Sequence, residues 1–218
     1  MNFILCADLL PIVAPAVVFF DRVRVLERDE RMDAPMAGTA ARLQAPDALA
    51  AEIAQVRAMY KRVGLDPTKT RPSSEALLRR VRKGDPLPRI NSLVDIGNWC
   101  SVETQLPYGL YDLDRIEGHT IYLRTGAEGE GYDGIRKDRV NVDGRMTLAD
   151  KRGPFGNPTS DSARTMVTLE TQRVLFVIYA PRDYPRASCE RAVELTSRRV
   201  HDYGSAADAP VQTRVLFL

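Results

Sequence analysis

PRINSLVDIGNWCSVETQLPYGLYDLDRIEGHTI, residues 88–121, is the stretch on which the fold turns. Ile90, Leu93, Val94 and Gly97 recur at helical spacing, and Cys100 and Ser101 extend the same side. Pro107 predicts the helix's end, because a proline disfavours α geometry in the residue before it. Tyr108-Gly109-Leu110-Tyr111 then reads as a loop, and Asp112-Leu113-Asp114 leads through Gly118 into the strand-like HTIYLR. Asn98 and Glu103 are polar side chains on an otherwise packed helix. A buried Asn has to satisfy its donors and its acceptor or cost a few kcal/mol. Asn98 therefore reads either as bonding a neighbouring backbone group or as orienting a substrate carbonyl, ribose or water.

The segment resembles the B3/B4 domain, the editing module of the β subunit of bacterial phenylalanyl-tRNA synthetase. That family carries VDI-x-N, then Glu, then Pro, then a loop closing on an aromatic and Asp. Val94, Asp95, Ile96, Asn98, Glu103, Pro107, Tyr111 and Asp112 match it without a gap. The likeness continues more loosely through GEGYDGI (129–135), MTLAD (146–150) and RTMVTLET (164–171). Gly109 stands where the synthetase usually has a histidine, as in free-standing relatives of the domain. The resemblance implies a layered α+β domain of mixed sheets and packed helices, with residues 71–218 as the family-like core. Residues 1–70 would be an N-terminal part accreted on it, all within one domain.

Composition narrows the classes of function. Hydrophobic residues at 44% and charged ones at 28% are ordinary for a soluble globular protein. The 31 basic and 29 acidic residues nearly balance, so any RNA contact is expected to be local and salt-sensitive, and DNA is not an expected partner. Cys6, Cys100 and Cys189 are odd in number and widely separated, which fits a reducing, cytoplasmic setting and gives no metal spacing. The apolar start MNFILCADLLPIVAPAVVFF has no Lys or Arg before it, is interrupted by Asp8, and contains Pro11 and Pro15. It is expected to be strand-rich and buried, neither exported nor spanning a membrane.

Along the chain, residues 17–26 read as a strand that ends in the alternation Val23-Arg24-Val25, and 27–44 as a connection. Helices are expected from Asp47 to Val63, and over 71–83 behind a Ser73 cap. Arg79, Arg80, Arg82 and Lys83 close the second helix. They serve either as cations complementing the helix dipole or as a phosphate-contacting patch. Strands are expected at 120–124, 139–142, 147–150, 165–170 and 174–180, a helix at 188–203 and a closing strand at 211–218. Helices early, strands clustered, then a helix and a strand give α+β.

The second polar constellation is GPFGNPTSDS, residues 153–162, dense enough in turn residues to be a shaped loop. In the resembled domain the equivalent region lines the amino-acid pocket, and on that ground Gly156, Asn157 and Thr159 join Gly97, Asn98, Tyr108, Gly109 and Leu110 as substrate-binding candidates. Glu103 and Asp112 are expected behind them, holding Asn98 and the loop. No Glu stands in 153–162, so the family's reading of a tyrosine hydroxyl does not carry over. His119 and His201 have no Cys or Ser beside them in a known motif, and no Walker sequence or dinucleotide glycine pattern occurs. No cofactor or metal is implied.

The function implied by the resemblance is hydrolysis of a misacylated aminoacyl-tRNA in trans, with catalytic residues unassigned and the aminoacylated acceptor end of tRNA as partner. Positioning of water, the vicinal ribose hydroxyl, and backbone amides of 108–110 and 156–159 would supply the chemistry. Two alternatives are a non-catalytic module that binds tRNA or an amino acid, and an enzyme acting on a small amino-acid-like ester or amide. Gly109 is expected to leave room that a histidine would fill without harm to the fold.

Overall fold

LFVIYA, residues 175–180, is the apolar run that must be covered on both faces, and its first part lies in an interior strand, Arg173–Ile178. The computed structural model describes residues 1–45, 49–136, 138–205 and 210–218. In chain order the strands are β1 (Asn2–Leu5), β2 (Ala16–Asp21), β3 (Tyr108–Asp112), β4 (Thr120–Thr125), β5 (Gly131–Asp133), β6 (Arg139–Asn141), β7 (Met146–Asp150), β8 (Gly153–Gly156), β9 (Arg173–Ile178) and β10 (Gln212–Phe217). The α-helices are α1 (Asp33–Arg42), α2 (Ala50–Arg62), α3 (Ser73–Arg82), α4 (Ser92–Thr104) and α5 (Arg186–Gly204). The class is α+β. One sheet runs β10-β2-β9-β3, all antiparallel; the other runs β1-β4-β7-β8, with β1 parallel to β4; β5 and β6 form a separate ribbon.

Strand periodicity explains the layering. Leu110 pairs with Phe176 and Tyr108 with Ile178, so these share the face on which α4 and α5 pack. Gly109, Tyr111, Leu175 and Val177 share the opposite face, where the Tyr111 ring meets Phe155 of β8 edge-on at 5.1 Å. Helices, one sheet and the second sheet thus stack around a single continuous core. Residues 1–70 contribute β1 to one sheet and β2 to the interior of the other. Among the described residues no helix is long and apolar enough to cross a membrane.

Several sequence expectations are corrected. Residues 108–111 are not a loop but β3, because every residue from Tyr108 finds a partner on β9. The strand expected over 17–26 stops at Asp21, since Arg22 takes a left-handed φ of 64°. The connection 27–44 contains a 3₁₀ turn (Glu30–Met32) and α1. Residues 165–170 are not a strand: after a 3₁₀ turn (Ala163–Thr165) the chain bends, and Thr171 N–H donates to the Thr168 carbonyl. The expected helix start at Asp47 lies outside the described residues, and α2 begins at Ala50. Ser73 is the first residue of α3 and not its cap; its hydroxyl donates to the Pro158 carbonyl at 3.3 Å. Finally, α4 ends before Pro107 acts, at Gln105, whose φ of 55° breaks the helical ladder.

Candidate functional site

Helix α4 begins where Asn91 Oδ1 accepts from the Val94 N–H at 3.0 Å, one of the free donors of a first turn. From that point Asn91, Val94, Gly97, Asn98 and Ser101 fall on one stripe at spacings of three and four, and this stripe floors a groove of about 760 Å³. Tyr108 and Leu110 of β3 continue the floor, Ser73 and Leu77 of α3 form one side, and residues 161–169 the other. The size suits a small organic ligand. Gly97 is needed here, because a Cβ on it would stand 2.7 Å from Leu110 Cδ1. The rim is apolar and wet: Ile90, Leu169 and Ile135 are 56%, 55% and 38% exposed. That is unusual exposure for large aliphatic side chains gathered round one opening.

Most polar groups on the floor are committed to the fold. Ser101 Oγ donates to the Leu106 carbonyl at 2.7 Å, and the Tyr108 hydroxyl lies 3.1 Å from Thr196 Oγ1, away from the groove. Asn98 differs. It is half-buried and lines the groove, and its amide makes no hydrogen bond among the described residues. It has no buried backbone partner, contrary to one of its two sequence readings. Backbone donors add to it. Tyr179 N–H bonds the Pro107 carbonyl at 3.0 Å, so antiparallel alternation gives the β9 bonds to Gly109 and Tyr111. The Tyr108 and Leu110 amides then face the open edge of β3.

Three arrangements hold the walls. Asp112 Oδ2 accepts from Thr171 Oγ1 at 2.7 Å, which fixes the turn that presents Thr168 and Leu169 to the groove. Asp161 lines the groove in front of a set of buried tyrosines. The Tyr111 and Tyr179 hydroxyls lie 3.2 Å apart, and burial first, then the Asp161 charge, push both well above the usual phenol range. Asp95, fully buried beneath the rim, accepts from Arg89 Nε at 2.7 Å and the Ile90 N–H at 2.8 Å. Burial nevertheless raises its carboxyl above the usual range.

The groove brings together Gly97, Asn98, Tyr108 and Leu110 of the sequence candidates and leaves out the others. Gly109 faces the second sheet. Gly156, Asn157 and Thr159 form a turn in which Asn157 Oδ1 accepts from Thr159 and Ser160 N–H, so those amides point inward to the turn itself. Tyr60 holds that turn from behind, its hydroxyl donating to Pro158 O at 2.9 Å. Glu103 lies on the far side of α4. It pairs with Arg42 at 3.0 Å and with Arg199, whose guanidinium stacks 3.5 Å over the Trp99 ring, and so ties α4 to α1 and α5 without touching Asn98. Arg79 and Lys83 are exposed at the end of α3, while Arg80 Nε donates to the Pro86 carbonyl at 2.6 Å and Arg82 to the Ala45 carbonyl at 3.3 Å. Asp161, Asn91 and the segment 166–169 were missed as groove residues. A signal was present for Asp161 in GPFGNPTSDS and for 166–169 in the loosely family-like RTMVTLET, and none marked Asn91.

A family model described as the B3/4 domain matches residues 55–203, most of the chain and all of α4, β3 and the groove's loop wall. The chain belongs to the B3/4 domain family. This B3/4 domain is 30% identical over 110 residues to the phenylalanine–tRNA ligase β subunit of Streptococcus pneumoniae serotype 4, covering 49% of the chain and 14% of that protein. It is 29% identical over 151 residues to the corresponding subunit of Anaeromyxobacter dehalogenans, covering 67% and 18%. It therefore spans under a fifth of the length of these curated relatives. An N-terminal fragment of the phenylalanyl-tRNA synthetase β subunit from Pyrococcus horikoshii aligns with 94% of the chain and 49% of its own, at 14% identity and a TM-score of 0.48.

Proposed function

We propose that this B3/4 domain hydrolyses the ester of a misacylated tRNA, acting in trans, with the aminoacyl group held in the groove over α4. The observation that carries the proposal is Asn98, whose amide makes no hydrogen bond among the described residues, on the floor of a groove with an apolar rim. The relatives' naming as tRNA ligase subunits supplies the substrate class. An amino-acid side chain enters among Val94, Leu110 and Ile90, and the carboxylates of Glu27 and Asp161 offer charge for the α-ammonium. Asn98 orients the ester or the attacking water, and the Leu110 N–H lies at hand for the developing oxyanion. Water adds to the carbonyl carbon, the ribose oxygen leaves with a proton, and free amino acid and uncharged tRNA result. The vicinal ribose hydroxyl relays that proton. Such a site acts by positioning and by excluding solvent.

A second reading is a binding module without turnover. It is favoured by the commitment of Ser101 and Tyr108, the groove's inner hydroxyls, to hydrogen bonds within the fold.

A panel of mischarged tRNAs separates the two. Ester loss on at least one member is expected, and Asn98→Ala should slow it about 10²-fold, the loss typical of one oxyanion or positioning group. Because the Asn98 amide has no hydrogen-bond partner among the described residues, the melting temperature should stay put. Tight binding with no turnover on any member would select the binding module, and full activity of Asn98→Ala would move the site elsewhere. The exposed Arg79 and Lys83 are proposed as phosphate contacts, with Arg80 and Arg82 held beside them.

A further inference from the structure

A second cleft, of about 380 Å³, adjoins the groove, and Leu169 lines both. Its two lips are residues 22–25 and 169–172, joined where the Val23 N–H donates to the Gln172 carbonyl at 2.9 Å. Val23 and Val25 are buried, so Arg22 and Arg24 are turned outward into the cleft, both exposed. Neither forms an ion pair among the described residues. Many arginines here do, including Arg28, Arg31, Arg42, Arg57, Arg89, Arg124, Arg164, Arg173 and Arg199. Glu170, on the other lip, is the one carboxylate among the residues lining the cleft.

We infer that the RNA strand leading to the groove crosses the Leu169 turn and lays its phosphodiesters against Arg22 and Arg24. The inference rests on the groove as the seat of an aminoacylated RNA end. A ligand apolar at its tip and polyanionic along its length needs a groove with an apolar rim that opens onto cations, and this is the arrangement on the two sides of Leu169. Guanidinium groups suit the task, since their planar fork matches phosphate oxygens. The turn between groove and cleft is also rigid, because Asp112 holds Thr171 and Thr171 Oγ1 accepts from the Thr168 N–H at 3.0 Å. The strand would bend over a fixed edge.

The test is the salt dependence of binding to deacylated tRNA by the intact chain and by the double variant Arg22→Gln, Arg24→Gln. Both side chains are exposed and unpaired, so the variant should melt as the parent does. Its affinity should fall at low salt, and the slope of log K against log salt should flatten by about 1.4–1.8, at 0.7–0.9 per lost phosphate contact. The same titration on Arg79→Gln, Lys83→Gln measures the α3 end separately. An unchanged slope for the Arg22, Arg24 pair overturns the inference. So does tighter binding of poly-L-glutamate than of tRNA, or no tRNA binding by the parent. A parent that binds tRNA through these arginines but cleaves no ester fails the hydrolytic reading and leaves this one intact.

Discussion

Arg89→Met is expected to cost about 3–5 kcal/mol of folding stability, the range found when one partner of a buried ion pair is removed. Arg89 bonds Asp95 through Nε, the Asp29 carbonyl at 2.9 Å, and Asp33 of α1, so one guanidinium clamps the start of α1 to the start of α4. Without it the Asp95 carboxylate is fully buried with the Ile90 N–H as its remaining donor. The pH dependence has a definite sign. Burial already raises the Asp95 carboxyl above its unfolded value, and loss of Arg89 raises it further. A group with a raised folded pKa takes up a proton on folding, so the variant's deficit is largest above that pKa and shrinks as pH falls toward the ordinary carboxylate range. Asp95→Asn in the same chain should recover part of the loss at neutral pH. Urea titrations at several pH values measure all of this, and a variant as stable as the parent at neutral pH would contradict it.

Gly109→His is expected to cost about 3 kcal/mol or more, at the upper end of core overpacking. The residue is buried in β3, and a Cβ on it would lie closer to the Tyr111 hydroxyl and ring than real Cβ atoms approach. Gly156 on the facing strand β8 has the same relation to the same ring. Tyr111 cannot withdraw, since it is fully buried, packed on Phe155 and bonded to Tyr179. The two glycines make room for a tyrosine between the sheets, not for a ligand in the groove. Even Gly109→Ala should lower the melting temperature visibly. A Gly109→His chain with an unchanged melting temperature and altered ester specificity would restore the exposed-loop reading.

That reversal shows where the sequence was legible. The period of α4 placed Ile90, Leu93, Val94, Gly97, Cys100 and Ser101 on one side; Ile90, Val94, Gly97 and Ser101 do line the groove, together with Asn98, while Leu93 and Cys100 are buried in the core. The continuous apolar run of β9 named an interior strand. What failed were segments whose state is set by partners distant in the chain. YGLYD follows Pro107 and carries a Gly and an Asp, so it reads as a turn despite its two Tyr, yet β9 supplies a ladder more than sixty residues later. RTMVTLET carries a strand's alternation, yet its apolar residues face the groove and the core, and a Thr–Asp bond fixes its bend. Glu103 and Asp112 were recognisable as parts of the family pattern. Their tasks, tying helices together and bracing a turn, became visible only once Arg199 and Thr171 stood beside them.

The central claim is that the aminoacyl end of an RNA sits in the groove over α4. The most direct test is a structure of the chain with 3′-deoxy-3′-(aminoacylamino)adenosine, an amide in place of the hydrolysable ester, carrying an apolar side chain. The side chain should lie against Val94 and Leu110, with the amide carbonyl within hydrogen-bond reach of Asn98 or the Leu110 N–H and the adenosine directed toward Leu169. The same compound bound away from α4, or in the groove with its amide carbonyl remote from both donors, would contradict the account.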